Sequence, residues 1–263
     1  MDASVPIFQQ TLGSRGLDVL PVGETDFEGL AAACRGRLRP GDGPVHLAGM
    51  TTMAECRAAL LAAKALGCGA PWVSWVCGGE GRSSARVHML AALFVCEGMG
   101  AAAFGIDCPR EEAEELLGEL AACAQIPLFQ VREGEIVPWA YTPAPQDPDA
   151  IPCATGTDPC FITRTIDVGE ELECGPTLLE DIIAAEDDPV GAVKIAIQSQ
   201  DDVEIFAQHQ YAVGKALCLC SDVPELLEGA LRAYQGRAFY DGTGELSREE
   251  LDRLAGLYGL IVL

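Results

Sequence analysis

Basic residues are scarce in this sequence: 17 Lys and Arg stand against 40 Asp and Glu, with only 3 His, for a net charge of −23. A field of that sign repels phosphate backbones and anionic membrane surfaces, so nucleic acid and membrane are not expected as partners. An apolar run of about 18 residues, the length a membrane-spanning helix needs, does not occur. A basic-then-apolar leader is also missing, and the expectation is a soluble, cytoplasmic protein. Although the chain has 12 cysteines, it has no pair of CxxC motifs. A cytosolic chain keeps its thiols reduced, and Cys34, Cys56, Cys96 and Cys123 lie within apolar helical patterns, so most read as small core residues. What is present is apolar bulk: 49% of 263 residues, enough for one large α/β domain or two smaller ones.

The hydrophobic pattern alternates between short strand-like runs and helical ones. "VHLAG" leads to "TMAECRAALLAAKALG", "PWVSWV" to "SSARVHMLAALFVCEGMG", and "AAFGID" to "PREEAEELLGELAACA", with "PLFQV" closing the series. The stretch "PWAYTPAPQDPDAIPCATGTDP" is too rich in Pro for a helix or central strand and reads as a linker or long loop. After it, the extended "FITRTIDVGEELEC" precedes a helix at "TLLEDIIAAED", and the rhythm resumes through "AVKIAIQS", "ALCLCS", "AFYDG" and the closing "LIVL". The expected organisation is residues 1–137, a Pro-rich linker at 138–160, and 161–263.

Four buried-looking strands in each half predict a (β/α)8 TIM-like barrel composed of two four-stranded halves; two half-barrel or doubly wound modules give the same pattern. If the halves do not close on each other, their apolar edges predict a homodimer. Ligands are expected at the carboxyl ends of the strands, where Gly49, Cys77, Asp107, Cys108, Ser199, Cys220 and Asp241 fall.

Two portions resemble one enzyme system. The run "GMTTMAECRAALLAAKALG" through "PWVSWVCGGEGR" and "LAALFVCEGMGAAAFGIDCP" to "IPLFQV", about residues 40 to 132, resembles the later strands of homocysteine S-methyltransferase domains, including that of cobalamin-dependent methionine synthase. Further on, "DVPELLEGALRAYQG" and "YGLIVL" resemble part of the pterin-binding, methyltetrahydrofolate domain of methionine synthases. The resemblance implies a methyl-transfer protein of methionine biosynthesis. If active, it would methylate a small-molecule thiol held on zinc, with cobalamin or methyltetrahydrofolate as indirect methyl donor. The other reading is a non-catalytic relative acting as a binding or partner module for a corrinoid protein or a methyltransferase.

In the family, three thiolates hold zinc and leave its fourth position for the homocysteine thiol, which becomes a nucleophile on losing its proton. "GIDC" is similar to the strand that delivers the first of these thiolates, which makes Cys108 the counterpart. The family's adjacent Cys-Cys pair before Gly-Thr falls on Ala154 and Thr155 of "CATGTDPC", so the nearest candidates to complete the set are Cys153 and Cys160. The family's strand Glu for the homocysteine amino group is replaced by Ala48 and Gly49. On the pterin side, the family's Asp appears as Cys220 and its Asn as Asp241. Asp107 and Asp241, each ending a strand, are the candidate substrate-binding carboxylates, though either could cap a following turn. Cys218 and Cys220 alternate on one strand and so share a face. "GGEGR" lacks phosphate-loop spacing. His46 and His88 have apolar neighbours and read as structural, and the runs "EEAEE" and "EDD" read as solvated helix faces.

Overall fold

The structure is a computed structural model that describes residues 5–13, 27–41, 43–145 and 147–263. The chain divides into two compact units, Met1–Gln146 and Asp147–Leu263.

The first unit holds β1 (Gln10–Gly13), α1 (Phe27–Arg37), β2 (Pro44–Met50), α2 (Met53–Ala65), β3 (Gly69–Val76), α3 (Met89–Gly98), β4 (Ala103–Asp107), α4 (Arg110–Ala121), β5 (Leu128–Arg132) and β6 (Glu135–Trp139). Local chemistry sets the boundaries. Thr52 caps α2 by accepting from the Glu55 N–H, and the Glu55 carboxylate returns the bond to the Thr52 N–H. Six strands form one sheet in sequential order, β1 to β6. The first five are mutually parallel, and β6 turns back antiparallel on β5.

The register sorts the side chains into two faces. Leu12, Leu47, Val73, Phe104 and Leu128 stand in one row, each at most 2% exposed. His46, Trp72 and Ala103 stand in a row on the opposite face. There Trp72, Ala103 and Phe129 form a core that Phe8 joins from outside the sheet. Gly105 makes this packing possible, because a Cβ on it would lie 2.2 Å from the Phe129 ring.

The second unit holds β7 (Ile151–Ala154), β8 (Pro159–Ile162), β9 (Val168–Glu173), α5 (Leu178–Asp187), β10 (Ala192–Ala196), α6 (Gln200–His209), a 3-10 turn at Gln210–Ala212, β11 (Ala216–Cys220), α7 (Pro224–Ala233), β12 (Phe239–Tyr240), α8 (Arg248–Tyr258) and β13 (Ile261–Val262). Capping boxes at Ser199 with Asp202 and at Ser247 with Glu250 start α6 and α8. Gly259, at φ 74, ends α8 in the left-handed conformation that glycine adopts without strain. β9 to β13 form a parallel five-stranded sheet, again in sequential order, while β7 and β8 make a separate antiparallel hairpin. The hairpin contributes Cys153 and Ile162 to a core shared with Ala192, Ala216, Cys218, Phe239 and Ile261. Arg237 secures it, donating from its N–H to the Ala154 carbonyl and from Nη1 to that of Pro152.

These sheets correct the expected (β/α)8 TIM-like barrel. A barrel needs its strands hydrogen-bonded in a ring, whereas here the parallel strands belong to two open sheets. In the first unit the reason is local. Glu133 and Gly134, at φ 50 and 84, form a two-residue hairpin turn that reverses the chain after β5. Among the described residues neither sheet reverses its strand order, so neither has the switch point of a doubly wound sheet. With right-handed crossovers, sequential order lays the connecting helices of a sheet on one of its faces.

The stretch 138–160, expected as a linker, contains the end of β6, all of β7 and the start of β8. Its prolines are tolerated for a geometric reason. The Thr155 N–H donates to the Asp158 carbonyl to close the hairpin. Alternation along the ladder then places Pro152 and Pro159 at positions where no N–H faces the partner strand.

Candidate functional site

The carboxyl ends of β9 to β12 gather a polar cluster on the face whose other end the β7–β8 hairpin fills. Register alone would misplace one member. Val168 pairs with Ala192 and Glu171 with Lys194, so β9 spends three residues where β10 spends two. This bulge at Gly169 and Glu170 returns Glu171 to the face of Val168, beside Lys194. Lys194 is in turn level with Cys218, and Ala196 with Cys220. Asp241 follows β12 directly, in a turn where its Oδ1 accepts from the Thr243 N–H at 3.1 Å and the Thr243 hydroxyl at 2.6 Å. Gly242, at φ 81, permits that turn.

Lys194 Nζ is the centre of the arrangement. It lies 3.0 Å from Asp241 Oδ2 and 3.5 Å from Glu171 Oε2, and donates to Thr243 Oγ1 at 2.9 Å. The Lys194 and Asp241 side chains are 12% and 14% exposed, Glu171 45%. The Cys220 thiol donates to Glu171 Oε2 at 3.4 Å. Glu171, Lys194, Cys220 and Thr243, with Gln198 and Ser221, line an open cavity of about 200 Å³, and Asp241 stands behind Lys194.

Electrostatics fixes the protonation states. Burial pushes the Asp241 carboxyl up, but the Thr243 hydrogen bonds and the Lys194 ammonium outweigh it and hold it below 3.8. Burial likewise opposes the Lys194 charge, and Asp241 overcomes it, raising the ammonium above 10.5. Cys220 is pushed up to about 12 by burial and by Glu171, and burial raises Cys218 further. At neutral pH the site therefore presents the Lys194 ammonium, the Asp241 carboxylate and protonated thiols. Such an arrangement can hold and orient a small polar molecule.

The cysteines meet in pairs. Cys56 and Cys96 lie 3.4 Å apart between α2 and α3, and Cys153 and Cys160 lie 2.6 Å apart across the β7–β8 hairpin. Cys77, just past β3, hydrogen-bonds to Cys108, just past β4, and that bond holds the Cys108 thiol below its ordinary value. Among the described residues, no three or more His, Cys, Asp and Glu side chains converge to hold a metal ion. Of the three thiols expected to hold zinc, Cys108 lies in the first unit and Cys153 and Cys160 pair within the second. Ala154 and Thr155, on which the resemblance places an adjacent Cys-Cys pair, are both buried.

Of the two expected substrate carboxylates, Asp241 joins the polar cluster, while Asp107 stands exposed at the end of β4 in the other unit. Lys194, Glu171 and Thr243 escaped the sequence reading. Lys194 is the one polar residue within an apolar strand, "AVKIA", which is a legible signal; Glu171 depends on a bulge that no local pattern reveals. His88 caps α3 by accepting the Leu90 N–H, and the "GGEGR" run closes a turn through Gly78 and Arg82, both structural roles.

No family model and no curated protein matches the chain. Among solved structures, the first ketoreductase of the tylosin PKS aligns with 98% of this chain and 70% of its own, at 12% identity and a TM-score of 0.26, a superposition that says nothing about this chain's function.

Proposed function

We propose that the chain is a small-molecule-binding module of a methyl-transfer system, with its ligand site at the carboxyl ends of β9 to β12. The observation that carries this reading is the Lys194 ammonium, fixed between Asp241 and Glu171 over a cavity at strand ends. The resemblance to the pterin-binding domain of methionine synthases supports it from the sequence side, since Cys220 and Asp241, the counterparts of that family's Asp and Asn, stand at the ends of the neighbouring strands β11 and β12. A carboxylate here accepts hydrogen bonds from the amino and ring N–H groups of a pterin-like heterocycle. The partner class is a corrinoid protein or a methyltransferase that performs the transfer. Zinc-held thiol methylation is the weaker reading, because the described thiols meet only in pairs.

Calorimetric titration of the full chain with methyltetrahydrofolate, and separately with homocysteine and zinc, tests the reading. Saturable binding of the folate is expected, weakened by about tenfold or more in Asp241→Ala, as the loss of a charged hydrogen-bonding group requires. Heat only with homocysteine and zinc, or with neither, overturns it.

A further inference from the structure

The three thiol pairs differ in what can reach them. Cys56 and Cys96 are both fully buried. Cys77 and Cys108 have the carboxylates of Asp107 and Glu112 close by, which oppose any thiolate. Cys153 and Cys160 are directly opposed residues of the β7–β8 hairpin. Counting from the closing bond between Thr155 and Asp158, they occupy a hydrogen-bonded position of the ladder, where Cα atoms lie about 5.5 Å apart, within the span a disulfide bridges. Their sulfurs are unequal. Cys153 is fully buried in the core with Ile162, Cys218 and Phe239, whereas Cys160 is half-buried at its edge.

We propose that Cys153 and Cys160 form a redox-active dithiol, in which Cys160 is the entry thiol for a low-molecular-weight disulfide such as oxidised glutathione and Cys153 resolves the adduct. Cys160 gives its proton to solvent and its sulfur attacks one sulfur of the oxidised glutathione. That S–S bond breaks, and one glutathione leaves and takes up a proton. Cys153 then loses its proton and attacks the Cys160 sulfur, releasing the second glutathione. Two protein thiols become one disulfide, one glutathione disulfide becomes two thiols, and no other oxidant is needed. The geometry favours the second step, because the resolving sulfur is already 2.6 Å from its target.

Trypsin makes the test direct, since residues 133–164 form one peptide containing only these two cysteines. The full-length protein is equilibrated in reduced-to-oxidised glutathione mixtures, its remaining thiols are alkylated, and the peptide is weighed. As oxidised glutathione rises, the doubly alkylated peptide is expected to give way to one lighter by two hydrogens and unalkylated, and reduced glutathione reverses the change. Cys153→Ala, shown folded by circular dichroism, is expected to stop at a glutathione adduct on Cys160. A wild-type peptide still doubly alkylated in fully oxidised glutathione overturns the proposal, as does a folded Cys153→Ala variant that takes no adduct.

Discussion

Lys194 is the residue on which the candidate site turns, because it neutralises carboxylates on both sides of it. Replacing it by Met leaves Asp241 and Glu171 without their shared cation. The expected loss, from urea unfolding, is about 1–3 kcal/mol, between the values for exposed and fully buried pairs. The pH dependence follows from the directions of the two shifts. Asp241 is held below 3.8, so its contribution is complete above that value and is lost as pH falls through the folded-state value. Lys194 is held above 10.5, so its contribution is complete below that value and is lost as pH rises through its own. Asp241→Asn should flatten both limbs of the unfolding midpoint measured against pH.

A second residue gives an acid limb with a different origin. His46 is buried on β2 with its Nε2 3.0 Å from the Ser74 hydroxyl, and burial lowers its pKa from 6.5 to about 4. Above pH 6.5 the ring is neutral folded and unfolded, and its effect on stability is flat. Between pH 6.5 and about 4 only the unfolded chain takes up the proton, so about 3 kcal/mol of stability is lost across that window. His46→Gln should remove this loss from a series of urea unfolding curves over the same pH range.

At the scale of elements, the bulge in β9 decides which residues can meet. Deleting Glu170 removes the extra residue of the bulge and leaves Glu171 two positions after Val168, on the same face and still level with Lys194. Lys194 then retains both Asp241 and Glu171, and it is Glu171→Ala that is expected to relieve the Cys220 thiol of a carboxylate that raises it, so that the thiol alkylates faster at alkaline pH. An unchanged alkylation rate would show that Glu171 does not govern this thiol. The same feature marks the limit of sequence reading. Strands such as "PWVSWV" and "ALCLC", and helices such as α2 and α4, were legible because apolar spacing is a local property. β6, β7 and β8 were not, because Pro138, Pro152 and Pro159 argue against strands unless the pairing partner is known. The Cys77–Cys108 and Lys194–Asp241 contacts join residues far apart in sequence, and only strand order brings them together.

At the scale of the whole molecule, the two units show why the expected ring of strands failed while the strand-helix rhythm was read. Rhythm is set within about 30 residues, but closure depends on whether the final strand of a series meets the first, which no single repeat encodes. Charge also acts at this scale. A net charge of −23 opposes compaction, and raising ionic strength from about 0.01 M to about 0.15 M shortens the Debye length from about 30 Å to about 8 Å. Thermal melts should therefore rise with sodium chloride, by about 2–4 °C per kcal/mol of repulsion removed. A midpoint independent of salt would mean that paired charges already cancel the net field.

The turn at Glu133 and Gly134 governs more than strand direction: it also determines how safely the first sheet ends. Because β6 returns antiparallel from a two-residue turn, alternation puts Pro138 where its nitrogen faces away from β5, toward the open edge. Proline has no hydrogen to offer a strand from another molecule, so the edge lacks one of the donors that would seed a cross-β stack. The reversal that ends the parallel series thus also guards this edge against pairing with another chain. Pro138→Val, which restores the donor without adding charge, should increase light scattering on concentration while leaving the circular dichroism spectrum unchanged.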